Sequence, residues 1–222
     1  MAIVISLDQY WELMQEAAVL QHSINSNFEK SWQYSFQLGH GIEKEIWINP
    51  HISLSITNYR SKNALVLKLP ERKHCLEFCF YLQGSCQISS LGEIKAGESF
   101  VFSGGIAPQD CLQHPEREKR LIISIHMGVD YFNRLISPFL STKNSIAYRL
   151  SSPTEDWVYR KSLPINPIIQ LVLQQILNCQ YQGVTKQLYL EGKILELISL
   201  QIDQLDQTHR KSSPKLPNKD ID

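Results

Sequence analysis

With 22 Lys and Arg against 22 Asp and Glu in 222 residues, the chain carries no net charge. It therefore lacks the basic excess with which a module grips nucleic acid on its own. Its 43% hydrophobic and 20% charged residues exclude a disordered chain and suffice for a barrel plus a helical subdomain.

The first predicted element is a helix from Leu7 to Gln21. Ser6 followed by Gln9 is a capping-box pattern. At 100° per residue, Leu7, Tyr10, Trp11, Met14, Ala17 and Ala18 share one face, so the helix packs against something larger. The start of the chain has no basic run or small-residue cleavage site, and no apolar stretch reaches membrane-span length. A cytoplasmic protein with no membrane partner is expected.

From Ser31 to Met127 the rhythm changes to period two. Ile52, Leu54 and Ile56 alternate with serines and threonine. Leu76, Phe78, Phe80 and Leu82 alternate with Glu77, Cys79 and Tyr81, and Leu121, Ile123 and Ile125 alternate with Ile122, Ser124 and His126. Gly39–Gly41, Gln83–Ser85, Ala96–Gly97 and Ser103–Gly105 supply turn signals. Short strands at this spacing predict an antiparallel sandwich or barrel.

After Gly128 the pattern becomes helical. A short helix is expected over Asp130–Leu135, then irregular chain to Leu163. Asn166 and Pro167 mark the N-terminus of the next helix. Tyr181, Gln182 and Gly183 break it, and a last helix runs from Thr185 to Leu205. Its apolar residues cover about half the circumference, wider than a one-sided stripe of about 100°. Leu188, Leu195, Ile198, Ile202 and Leu205 fit a heptad seam with Glu191 in a d position. This predicts a homodimer, although a helix buried on both sides within one subunit gives the same pattern. Asp206–Asp222 reads as a linker. The expected organisation is a helix plus barrel over 1–128, a helical dimerisation subdomain over 129–205, and a linker over 206–222.

The stretch from Leu173 to Ile198 resembles the helix pair that ends the sensor domain of PchR-like regulators of the AraC/XylS type. Asn178, Cys179, Tyr181, Gln182, Gly183, Tyr189, Leu190, Glu191 and Lys193 match, and Gly192 departs from the usual serine. Ser213–Asp222 resembles the linker into the DNA-binding domain, and Ile48–Tyr59, Leu76–Gly84 and Ala96–Phe102 match loosely. The resemblance implies an α+β fold: a cupin-like antiparallel β-barrel with an N-terminal helix and a C-terminal helical dimerisation element. It also implies a non-enzymatic, effector-binding part of a transcription regulator, with DNA contacted only through a domain beyond residue 222. The best-known members sense ferric siderophores, so iron or a ferric siderophore is the expected ligand.

The residues leave two rival chemistries open. His74, Cys75, Cys79 and Cys86 invite an iron–sulfur or metal-binding redox sensor. On a strand, however, Cys75 and Cys79 lie about 13 Å apart, too far to share one zinc at about 2.3 Å from each sulfur. Buried reduced thiols are the plainer expectation, and no metal ligand set is assigned. A cupin-type metalloenzyme would need histidines gathered from His40, His51, His74, His114 and His126, with His126 the best placed. No nucleophile elbow, P-loop or dinucleotide fingerprint occurs. The aromatic residues of the strand runs suggest a ligand pocket. The expected effector-binding residues are Trp47, Arg60, His74, Phe78, Phe80, Tyr81 and His126, with Arg72 a further charge partner.

Overall fold

The computed structural model describes residues 2–20, 24–25, 28–139, 145–151 and 160–212. Strand β1 (Ile3–Ser6) leads into helix α1 (Leu7–Leu20), followed by β2 (Ile24–Asn25) and β3 (Glu29–Gln33). Then come β4 (Gly39–Asn49), β5 (Ile52–Ser61), β6 (Leu65–Leu69), β7 (Arg72–His74), β8 (Leu76–Gln83), β9 (Ser85–Ile88) and β10 (Gly92–Lys95). The strand run ends with β11 (Glu98–Phe102), β12 (Gly105–Ala107), β13 (Asp110–His114) and β14 (Lys119–Met127). Helices α2 (Val129–Ile136) and α3 (Ile146–Ser151), strand β15 (Arg160–Pro164) and helices α4 (Pro167–Leu177) and α5 (Gly183–Ser212) complete the fold.

An eight-stranded sheet has the order β15-β11-β8-β14-β5-β4-β3-β2, and a five-stranded sheet the order β1-β6-β13-β9-β10. Strands β12 and β7 form a separate pair. The pairings are antiparallel except that of β1 with β6. The expected α+β class and antiparallel barrel are what the structure shows. Among the described residues, no helix is long and apolar enough to cross a membrane.

The large sheet is buried on both faces. Leu54, Leu76, Phe78, Phe80, Val101, Ile123, Ile125 and Met127 are wholly buried on one face, in one core with Phe132, Leu150, Ile169, Leu173, Leu190, Ile194 and Leu197 of the helices. Each such side chain contributes about 1.5–3 kcal/mol by leaving water. The intervening residues of the same strands point to the space between the two sheets, where a smaller core gathers Cys79, Tyr81, Cys86, Ile88 and Ile94. Helix α1 closes one end of that space by packing Met14 and Ala17 inward. Its start has the expected capping box: Ser6 N donates to Gln9 Oε1 at 2.9 Å and Gln9 N to Ser6 Oγ at 3.2 Å. Trp11, expected on the buried face, is 46% exposed.

Several boundaries differ from expectation. Gly39–Gly41 is not a turn but the start of β4, which passes so near β5 that a Cβ at Gly41 would meet Asn58 O at 2.3 Å. The loosely matched extended segment Ile48–Tyr59 is mostly β5, preceded by the end of β4 and a turn where His51 N donates to Asn49 Oδ1. Helix α3 and strand β15 fall within chain expected to be irregular. Asn166 caps α4 as expected, accepting from Ile168 N and Ile169 N. Gly183 opens α5 at φ +55°, a conformation that favours glycine. The last helix runs on to Ser212, seven residues into the expected linker, and Ser213–Asp222 lies outside the described residues.

Candidate ligand cavity

The two sheets enclose a cavity of about 320 Å³. Strand register builds its large-sheet wall in rows. One row runs Glu43, Thr57, Ile122, Tyr81; the next Ser55, Ser124, Cys79, Phe100; the last His126, Glu77, Phe102. Leu65, Leu67 and Leu69 of β6, Ile88 of β9 and Leu112 of β13 form the opposite wall, and Leu7, Tyr10 and Trp11 of α1 lie across one end.

The end beneath α1 is a buried polar network. Tyr10 Oη lies 2.8 Å from Tyr34 Oη. The Tyr34 ring stacks on Tyr59 with centroids 4.0 Å apart. Arg120 is wholly buried, donating to Tyr59 Oη and, through Nη2, to Pro115 O at 3.0 Å, with Glu118 3.5 Å from its Nε. The Glu43 carboxylate accepts from Thr57 Oγ1 at 2.8 and 3.0 Å and from Ser55 Oγ at 3.5 Å. Burial nevertheless raises its pKa to about 7. Nearby His114 is pushed down to about 3 by burial and by Arg120.

At the other end Glu77 stands between two imidazoles. His74 Nε2 is 3.6 Å from Oε2 and His126 Nε2 is 3.6 Å from Oε1. Burial opposes ionisation of Glu77, but the His126 and His74 rings hold its carboxyl below the usual range. The same contact holds His126 above its ordinary value against the opposing effect of burial, whereas burial lowers His74. Arg72 also lines this end. A second hollow, of about 190 Å³, lies beyond His126 and is bordered by Trp47, Asn49, His51 and Cys75.

Of the residues expected to bind an effector, the structure places His74, Tyr81 and His126 on the cavity wall. Phe78 and Phe80 are on the wrong face for that role: they are 0% exposed and pack toward the helices. In a sheet buried on both faces, the more apolar alternate set went to the helical layer and the mixed set to the cavity. Arg60 is exposed, next to Tyr59 but on the opposite side of the strand. Trp47 borders the second hollow, with Lys30 Nζ 5.0 Å from its ring centre. Tyr34 is among the strand aromatics that suggest a pocket, but sequence reasoning missed Tyr10, Glu43, Thr57, Tyr59, Glu77 and Arg120. The polar alternate set of β5, β8 and β14 carries several of them, but the same alternation marks a sheet with one solvated face.

Cys79 and Cys86 share the small core between the sheets, and Cys75 stands apart from them. Cys75 borders the second hollow, Cys79 the main cavity, and Cys86 is buried beside Ile88. Burial pushes the thiols of Cys75 and Cys86 up to about 11 and raises that of Cys79. Among the described residues, no group of three or more His, Cys, Asp or Glu side chains is arranged to hold one ion.

The expected seam of α5 is divided. Ile198 and Leu205 are buried in their own subunit, because they fall on the stripe of Leu190, Ile194, Leu197 and Gln201. Leu188 is 65% exposed, and Leu195 and Ile202 are half-buried. Glu191 accepts from Asn49 Nδ2 at 3.1 Å.

The family model described as the regulatory protein PchR N-terminal domain matches residues 39–216. Among solved structures, the AraC-like transcriptional activator CuxR aligns at 8% identity with a TM-score of 0.51, covering 96% of this chain and 69% of that one. An apo ToxT from Vibrio cholerae aligns at 11% identity with a TM-score of 0.49, covering 78% of this chain. This chain spans 61% of the length of that ToxT chain. An oxalate decarboxylase structure aligns at 15% identity with a TM-score of 0.30, over 65% of this chain and 44% of that one. No curated protein matches the chain by sequence. At these identities the likeness to CuxR is one of fold.

Proposed function

The chain belongs to the family of PchR regulatory-protein N-terminal domains, and from that membership we propose that it is the effector-binding module of an AraC-type transcription regulator. The observation that carries the reading is the cavity between the sheets, whose wall combines the rings of Tyr81, Phe100 and Phe102 and the leucines of β6 with a few ionisable groups, Glu43, Glu77 and His126. Small-molecule sites have this make-up: apolar and aromatic walls with a few placed polar groups.

The finer proposal is that the effector is an iron-related molecule, a ferric chelate with phenolate or catecholate rings. Tyr81, Phe100 and Phe102 offer ring surfaces, and Arg72 and His126 offer positive charge to an anionic chelate. Binding regulates only if the effector favours one conformation of the chain over another. The outer face of α5 around Leu188 is the proposed contact with a second subunit. The proposal assigns effector binding to this chain and no DNA contact to it.

Titration of the chain with a ferric phenolate chelate, a ferric tris-catecholate and the iron-free ligands tests the reading. Trp11 lines the cavity, so the part of the tryptophan emission that a Trp11→Phe variant lacks reports occupancy. Saturable one-to-one quenching by a ferric chelate is expected, weaker with the iron-free ligand. If no chelate saturates, the iron reading fails.

A further inference from the structure

Three carboxylates line the cavity, and they are satisfied to different degrees. Asp110 accepts from Ser90 N at 3.2 Å and from Ser90 Oγ. Glu43 has hydroxyl donors within 3.0 Å from Thr57. Glu77 has none so near: both flanking ring nitrogens stand at 3.6 Å, beyond hydrogen-bond length.

The tautomer of His74 follows from its other nitrogen. Nδ1 lies 2.7 Å from Cys75 O, and a carbonyl only accepts, so Nδ1 carries a proton. The ring is braced edge-on against Phe102, with centroids 4.7 Å apart. A neutral His74 therefore turns the lone pair of Nε2 toward Glu77 Oε2, and burial favours the neutral ring. Two acceptors then face each other across 3.6 Å with no proton between them. A single hydroxyl has one proton and satisfies only one of them. A nitrogen with two N–H groups satisfies both, and a positive one matches the ionised Glu77.

We propose that Glu77 and His74 form a docking point for a cationic nitrogen of the effector, a primary ammonium or an amidinium. It donates one N–H to Glu77 Oε2 and another to His74 Nε2, with Phe100 and Phe102 lining the same wall. His126 remains on the far carboxylate oxygen and keeps Glu77 oriented. This rests on the cavity being the effector site, but not on the effector containing iron.

Calorimetry with three probes of one carbon skeleton tests it: 3-phenylpropylamine, 3-phenylpropanol and 3-phenylpropionate, each titrated into the full chain. The amine is expected to bind about tenfold tighter than the alcohol or the acid, the weight of one charge-assisted hydrogen bond. In Glu77→Gln that preference is expected to vanish, with far-ultraviolet dichroism checking that the variant is folded. Should Glu77→Gln not fold, His74→Phe keeps a ring but removes the acceptor, and the amine should lose threefold or more. An alcohol or acid that binds as well as the amine overturns the proposal, as does an amine that does not bind at millimolar concentration. A preference unchanged in either folded variant also overturns it. A ferric chelate that saturates while the amine shows no preference sinks this subsite and leaves the effector reading standing. The reverse result sinks the iron reading alone.

Discussion

Asn49 Nδ2 donates to Glu191 Oε1 at 3.1 Å, which fastens the turn between β4 and β5 to α5. One turn earlier on the helix, further contacts reach the end of β4 and the start of β3. Gln187 Nε2 donates to Trp47 O at 3.3 Å and to Ile48 O at 3.4 Å, and Lys186 pairs with Glu29. Glu191 thus acts within its own subunit, where the heptad pattern placed it on a seam between two. Asn49→Ala and Glu191→Ala should each lower stability by about 1 kcal/mol, a typical net value for one hydrogen bond. The double variant should lose less than the sum, with a coupling of about 0.5–1 kcal/mol by urea denaturation. Strict additivity would mean that the bond contributes nothing.

Glu43 and His114 pull the pH dependence of stability in opposite directions. With Glu43 raised to about 7, the folded state holds a proton there that the unfolded chain releases near 4.5. Its contribution is complete below about pH 4.5 and is lost as pH rises to about 7. With His114 lowered to about 3, the unfolded chain binds a proton that the folded state refuses. That contribution is complete above about pH 6.5 and is lost as pH falls toward 3. Between about pH 4.5 and 6.5 the two oppose each other. Glu43→Gln should therefore make stability rise more steeply with pH across that window than in the unmodified chain, and His114→Gln should do the reverse. Urea midpoints at half-unit pH steps read both slopes, and parallel curves for all three proteins would refute the assignment.

What could be read from the sequence depended on whether one face or two were buried. The capping pair Ser6–Gln9 and the Asn166–Pro167 start are local signals that need no tertiary context, and both sit at helix starts in the structure. The period-two runs of β5, β8 and β14 gave the strands, because alternation survives whichever face is wetter. They did not give the side. Glu77, Ser124 and His126 look like a solvated face, yet they line an enclosed space. Strand β1 escaped notice because four residues, Ile-Val-Ile-Ser, show no period of their own and are recruited by β6. Glu43 and Arg120 could not be assigned from the chain alone, since their partners Thr57 and Tyr59 come from a neighbouring strand.

The two sides of α5 should respond differently to truncation. Leu205 is 1% exposed in the core shared with the barrel, and Leu188 is 65% exposed. Leu205→Ala should cost about 2–5 kcal/mol, as deletions at filled core positions do. Leu188→Ala should stay within about 0.5 kcal/mol for the isolated subunit. If a second copy covers the outer face, Leu188→Glu should shift light-scattering mass toward the monomer and leave the unfolding midpoint at low concentration unchanged. An unchanged mass would move the subunit contact away from this face.

Neighbours on β8 provide the sharpest test of which face does what. Phe80 points into the helical core and Tyr81 into the cavity, although they are adjacent in sequence. Phe80→Leu should lower stability by about 1–2 kcal/mol through lost packing, with the chelate affinity of the folded fraction unchanged. Tyr81→Phe keeps the ring and should stay within about 1 kcal/mol of the parent, since only a hydroxyl is lost. That hydroxyl hydrogen-bonds to the Cys86 thiol and so positions a ring that lines the cavity, and its removal should change chelate affinity by at least threefold. Fluorescence titration beside urea denaturation separates the two effects. If Phe80→Leu alters affinity while Tyr81→Phe leaves it untouched, the ligand does not occupy the space between the sheets, and the helix-facing side of β8 becomes the place to look.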